Sequence, residues 1–182
     1  MVGCPTSARG REAAVNEERF WDLIEAAWAP LGDEAGRARH ALATRDPEVA
    51  GYELPAFTVV EKGLGAFVDN LRGLAHNLGS AELTDLDRVA ERMLHDIDRS
   101  DVHAVTDGSD DGFLYARGFI VALGREFYTA VSADPRLAVE DAGCESVCYL
   151  FAHLHHERFG AFPDTGSGIS RESCTNPAGW RS

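Results

Sequence analysis

The chain has 182 residues, 45% of them apolar, which is enough for one domain with a substantial core and calls for no second. Acidic residues outnumber basic ones by 30 to 17, a formal net charge of -13 with no basic stripe to offset it, so generic duplex nucleic acid and membrane surfaces are excluded as partners. No apolar run reaches transmembrane length, Met1 to Arg11 carry no charged-then-apolar signal pattern, and four cysteines are too sparse for a disulfide framework, so a cytoplasmic protein with reduced thiols is expected.

Residues 1–15 read as a mobile leader, because their Gly, Ser, Pro and Arg content offers nothing to pack. Asn16 suits an N-cap, Glu17 and Glu18 suit the positive end of a helix dipole, and Phe20, Ile24, Ala27 and Trp28 recur with helical period up to Pro30 and Gly32. A weaker helix is expected from Asp33 to about Arg45. A long one follows from about Pro55 to Leu78, carrying Phe57, Val60, Leu64, Phe67, Leu71 and Leu78, with Gly63, Gly65 and Gly73 as weak points. Thr84 with Asp87 resembles a capping box ahead of the stripe Leu86, Val89, Ala90, Met93, Leu94 and Ile97. No segment alternates as a strand does, and the fold class expected is all-α: a compact multi-helix domain over 16–160 with a central apolar helix and an irregular tail over 161–182.

The central helix is announced by Thr106-Asp107-Gly108-Ser109-Asp110-Asp111-Gly112-Phe113. Ser109 suits the cap, Asp110 and Asp111 fill the first turn, and Phe113, Ala116, Ile120, Leu123, Phe127 and Val131 continue the period. Capping accounts for those acids but leaves Asp107 over. Arg117 lies seven residues after Asp110, on nearly the same face, and Arg125 eight residues further. A buried arginine has to find a carboxylate or a carbonyl, so an Asp110–Arg117 network tying loop to helix is one reading and a ligand site is the other.

These stretches, together with the first helix Asn16-Glu17-Glu18-Arg19-Phe20-Trp21-Asp22-Leu23-Ile24 and with Gly124-Arg125-Glu126-Phe127-Tyr128 and Ala133-Asp134-Pro135, resemble the bacterial domain-of-unknown-function 4240 family. Its members carry a Phe-Trp-x-Leu-Ile helix and a Ser-Asp-Asp-x-Phe, Arg, Ile, Gly-Arg series. Gly108 stands where the family often has Cys, and Phe119 where it has Trp. The resemblance implies a helical fold and supplies no reaction; the segment after Ala142 departs from it.

From Gly143 to Phe159 the pattern is again helical, closed by Gly160 and Pro163. Cys144 and Cys148 lie on its apolar face, and His155, seven residues or about 10 Å beyond Cys148, is too far along to complete a shared metal site, so both thiols read as core. His153, His156 and Glu157 share one face, suited to a metal with a further ligand from His95, His103 or Asp107, to acid–base work, or simply to solvent. Nothing in the pattern calls for a cofactor. The tail holds glycines, hydroxyls and Arg171, a composition that wraps an anion, and ends in Trp180, which favours folding back or docking on a partner.

Two functions follow. In one, Asp107 and His153 do acid–base chemistry on a small metabolite held by Ser109, Asp110, Asp111, Arg117, Arg125 and Arg171. In the other, the chain is a non-catalytic accessory or regulatory subunit that docks an enzyme through a surface at Trp28, Phe57 or Trp180.

Overall fold

The computed structural model describes residues 8–106 and 108–180. Among them the secondary structure is wholly helical, with α1 over Ala8–Trp28, α2 over Gly32–Ala43, α3 over Pro55–Ala75, α4 over Ser80–Asp96, α5 over Ser100–Thr106, α6 over Asp110–Ala122, α7 over Arg125–Ala133 and α8 over Glu145–Phe159, plus three single 3₁₀ turns. None of these helices is long and apolar enough to cross a membrane.

The apolar stripe at the start of the chain becomes the first wall of the core. Phe20, Trp21, Ile24, Ala27 and Trp28 are all buried. Trp28 stacks on Phe67 of α3 with ring centroids 4.7 Å apart, and its indole N–H donates to the Ala122 carbonyl at 2.7 Å, so an aromatic that would otherwise bury an orphan donor ties α1 to the end of α6. Burying each such large side chain contributes roughly 2–3 kcal/mol. Helix α6 is the centre of the molecule: from Phe113 to Ala122 every residue except Tyr115 is buried. It packs on α8, on α4 and on α7.

Two glycines make that packing geometrically available. A Cβ on Gly118 would lie 2.4 Å from the Cys144 carbonyl oxygen and 2.6 Å from Cys148 Sγ, so α6 and α8 approach to a distance that only glycine permits. Gly124 adopts φ +92°, a conformation costly for any other residue, and there the chain turns between α6 and α7. The single helix expected from 110 to 131 is therefore two.

Other boundaries also shift. Helix α1 begins at Ala8, and Asn16 lies within it, not at its cap; Arg11, Glu12, Ala13 and Ala14 are good helix formers and extend it backward. Helix α4 begins at Ser80, where Glu82 accepts from the Gly79 N–H at 2.8 Å, so Thr84 and Asp87 are interior and form no capping box. Thr84 returns its hydroxyl to the Ser80 carbonyl, and Asp87 is buried. Helix α8 ends, as its sequence indicates, at Gly160 in the left-handed conformation.

Candidate functional sites

At the start of α6, Ser109 accepts a hydrogen bond from the Gly112 N–H at 3.2 Å, and Asp110 and Asp111 stand exposed in the first turn. This is ordinary capping. Asp107 lies outside the described residues. Arg117 is fully buried, and its partner is not the Asp110 carboxylate. Its guanidinium lies over the Phe113 ring and donates to the Leu94 carbonyl at 3.0 Å, to the Arg171 carbonyl at 2.9 Å and to Ser173 Oγ at 3.1 Å; Ser173 in turn donates to the Asp110 carbonyl. Asp110 is free to stay in water because the buried charge is shared among carbonyls, which cost less to desolvate than a carboxylate. Burial lowers the Arg117 pKa, opposed chiefly by the nearby Asp98 charge.

The tail carries the second charged cluster. Arg171 Nη2 lies 2.6 Å from Asp87 Oδ1 and 3.4 Å from Glu91 Oε1 on α4, with its guanidinium over Tyr149 of α8. Desolvation raises the Asp87 carboxyl above its ordinary range in spite of Arg171. Asp98, between α4 and α5, is completely buried. It accepts the backbone N–H groups of Cys174, Thr175 and Asn176 at 3.0, 2.7 and 2.9 Å and the Trp180 indole N–H at 2.9 Å. Cys174 has φ +63°, which turns successive N–H groups toward one point and makes a nest for the carboxylate. Burial by itself would raise Asp98; the Asn176, Trp180 and Cys174 donors, with the Arg117 charge, hold it below the usual range.

The remaining sequence-chosen residues do not join this group. Arg125 pairs with Glu18 on the surface at 2.8 Å. His153 is exposed between Tyr149 and Phe162, His156 stacks on Phe162, and Glu157 pairs with Arg72 of α3. His95 and His103 are elsewhere engaged, the latter with its Nε2–H donating to the Gly108 carbonyl. Among the described residues no group of three or more His, Cys, Asp or Glu side chains is placed to hold a metal ion. Cys148 and Cys144 are buried, and desolvation pushes their thiols up to about 12 and about 11, which makes them core groups and poor nucleophiles. The proposed docking aromatics are occupied too: Trp28 is buried, Phe57 packs on Phe119, and Trp180 packs on His103 and Phe113.

A different cleft emerges between α2 and α7. It encloses about 710 Å³ and is lined by Glu25, Arg39, His40, Arg125, Glu126 and Thr129 together with an apolar wall that includes Leu123 and Phe127. Arg39 donates to both Glu25 carboxylate oxygens, at 3.0 and 2.7 Å, and to the Leu123 carbonyl at 3.0 Å. Its guanidinium also lies over Trp28. On the rim, His40 Nδ1 is 2.8 Å from Glu126 Oε1. Gly124 makes room for this arrangement, since a Cβ there would lie 2.3 Å from Glu25 Oε1 and 2.8 Å from Arg39 Nη1. These residues come from α1, α2 and the much later α7, so spacing gave no sign of them; the one local signal was the Gly124-Arg125-Glu126 turn.

An all-α fold whose central helix opens on Ser109-Asp110-Asp111, buries Arg117 and is followed by the Gly124-Arg125 turn defines a helical protein of the kind that the motif series describes. The chain belongs to the family described as a protein of unknown function, DUF4240, whose model matches residues 15–157; the match therefore includes most of α8, and the departure expected after Ala142 begins only after residue 157. No curated protein and no solved structure matches the chain.

Proposed function

We propose that the protein binds a small polar metabolite in the cleft between α2 and α7, and that His40 exchanges a proton with it, as an enzyme or as the binding partner of one. The observation that carries this reading is the His40–Glu126 pair at 2.8 Å on the rim of a cleft floored by the Glu25–Arg39 pair. With Nδ1–H donated to Glu126, His40 keeps Nε2 as a proton acceptor toward a bound molecule. Each cation in the cleft has its own glutamate, Arg39 with Glu25 and Arg125 with Glu18, so the cleft suits a neutral or zwitterionic molecule better than a strong anion. The apolar wall at Leu123 and Phe127 supplies the burial that holds it.

The test is an NMR titration of isotope-labelled protein with a panel of free amino acids and other zwitterionic metabolites. Binding is expected to shift Thr129, Ala130 and the His40 ring, and His40→Gln is expected to keep the fold while weakening the response. Responses confined to the loop before α6, and abolished by Asp107→Asn or His153→Gln, would instead favour the site that the sequence indicated. The docking reading has one observation of its own. Phe162, 60% exposed, lies against His153 and His156, and Phe159, 44% exposed, against His155, aromatic surface that a partner subunit would cover.

A further inference from the structure

The family match stops at residue 157, and it divides one set of contacts cleanly in two. Asp87, Glu91, Leu94, Asp98 and Arg117, which receive the tail, lie inside the matched segment; Ser167, Arg171, Ser173, the Cys174–Asn176 nest and Trp180, which they receive, lie outside it. We infer that the surface made by α4, the α4–α5 turn and α6 is a peptide-binding groove, and that residues 164–180 are its ligand held in cis. The ligand class is an irregular segment, turned at residues 172–174 and 177–180, with an arginine for the Asp87/Glu91 end and, nine residues later, a tryptophan for Asp98.

Three properties of the contact support recognition over core packing. The groove offers buried charge: Asp98 and Arg117 are wholly inaccessible and Asp87 nearly so; Arg117 keeps the Leu94 carbonyl and the nearby Asp98 charge on the body, but its other two acceptors, all four N–H donors to Asp98 and the cation beside Asp87 come from the tail, so the groove is fully satisfied only when a peptide lies in it. The segment itself has no helix and is held by polar groups: Arg171 and Asn176 are its buried residues, and Asn176 donates from its side chain to the His95 carbonyl. Main-chain groups are read as well, through Ser100 N–H to the Gly179 carbonyl and Arg117 to the Arg171 carbonyl, contacts that hold a peptide irrespective of the side chains at those positions. The segment is joined to α8 by the short stretch 160–163, largely exposed and opening on Gly160 at positive φ, and its own first residues include Gly166 and Gly168, also at positive φ.

The decisive experiment uses the full chain with a specific protease site inserted between Pro163 and Asp164. After cleavage, a fluorescent synthetic peptide of residues 164–182 should exchange into the groove while the body keeps its helical circular dichroism. Peptides with Arg171→Ala or Trp180→Ala, and a body with Asp98→Asn, should bind about tenfold or more weakly. Loss of helical signal as the native segment departs would overturn the proposal, because the tail would then be core; so would failure of the labelled peptide to exchange, or equal binding of a scrambled one. In case the insertion impairs folding, hydrogen exchange on the uncut chain gives an independent reading. The Cys174, Thr175 and Asn176 amides should open together and faster than the amides of α4 and α6, and opening at the rate of those helices would equally sink the idea.

Discussion

At the scale of the residue, the guanidinium of Arg117 decides what the motif around it is for. It is fully buried, its three acceptors come from α4 and the tail, and Ser173 relays it to the first turn of α6. Arg117→Ala should therefore destabilise the protein by about 3 kcal/mol or more, because it leaves the Leu94 and Arg171 carbonyls unpaired and opens a cavity beside Phe113. Arg117→Lys should recover only part, since an ammonium cannot span acceptors on opposite sides of a planar fork. Melting temperatures of the two variants check this; an unchanged value for the alanine would mean the buried contacts add nothing. The sequence made Arg117 legible as a buried arginine needing a partner, and Ser109 as a cap. It could not reveal that the partners are carbonyls far along the chain, because a carbonyl exists at every residue and carries no signature. The His40–Glu126 pair was hidden for a related reason: two ordinary surface residues on α2 and α7 gain meaning only by the crossing of their helices.

At the scale of the element, period was sufficient for seven of the eight helices described, although α6 and α7 were read through one continuous stripe. Phe127 and Val131 keep the 3.6-residue rhythm of Phe113 and Ile120 across the Gly124 turn, so hydrophobic periodicity had nothing to register there. The short α5 was missed because seven residues with two buried side chains give too brief a stripe. What periodicity does not encode is how closely two helices approach, and here Gly118 is informative. Gly118→Ala should cost about 2–4 kcal/mol, since its methyl would meet the Cys144 carbonyl, and a backbone atom yields less easily than a side-chain tip. The check is chemical denaturation: the midpoint should fall while the slope stays that of the parent, and a wild-type midpoint would show that α6 and α8 can separate at little cost.

At the scale of the whole molecule, a chain with net charge -13 still buries carboxylates, and two of them respond to acid in opposite senses. Asp98 titrates below its ordinary range. Its contribution is present above the unfolded carboxyl pKa, about 3.9, and is lost as pH falls through the lower folded value. Asp87 titrates above its ordinary range, so the folded state takes up its proton first; stability rises as pH falls through the folded value toward about 3.9 and is correspondingly lower near neutrality. Relief of overall charge repulsion adds to the rise, so wild-type stability should peak in mild acid and drop below about pH 4. Variants separate the causes. Asp98→Asn should lie about 2–4 kcal/mol below wild type at neutral pH, because its amide cannot accept all four donors, and the two curves should converge in acid where Asp98 itself is neutral. Asp87→Asn should flatten the rise and leave the acid limb in place. Melting temperature followed across the acid range tests both. Parallel curves for wild type and Asp98→Asn down to the lowest pH would mean that the Asp98 nest is not what ties the tail to the body.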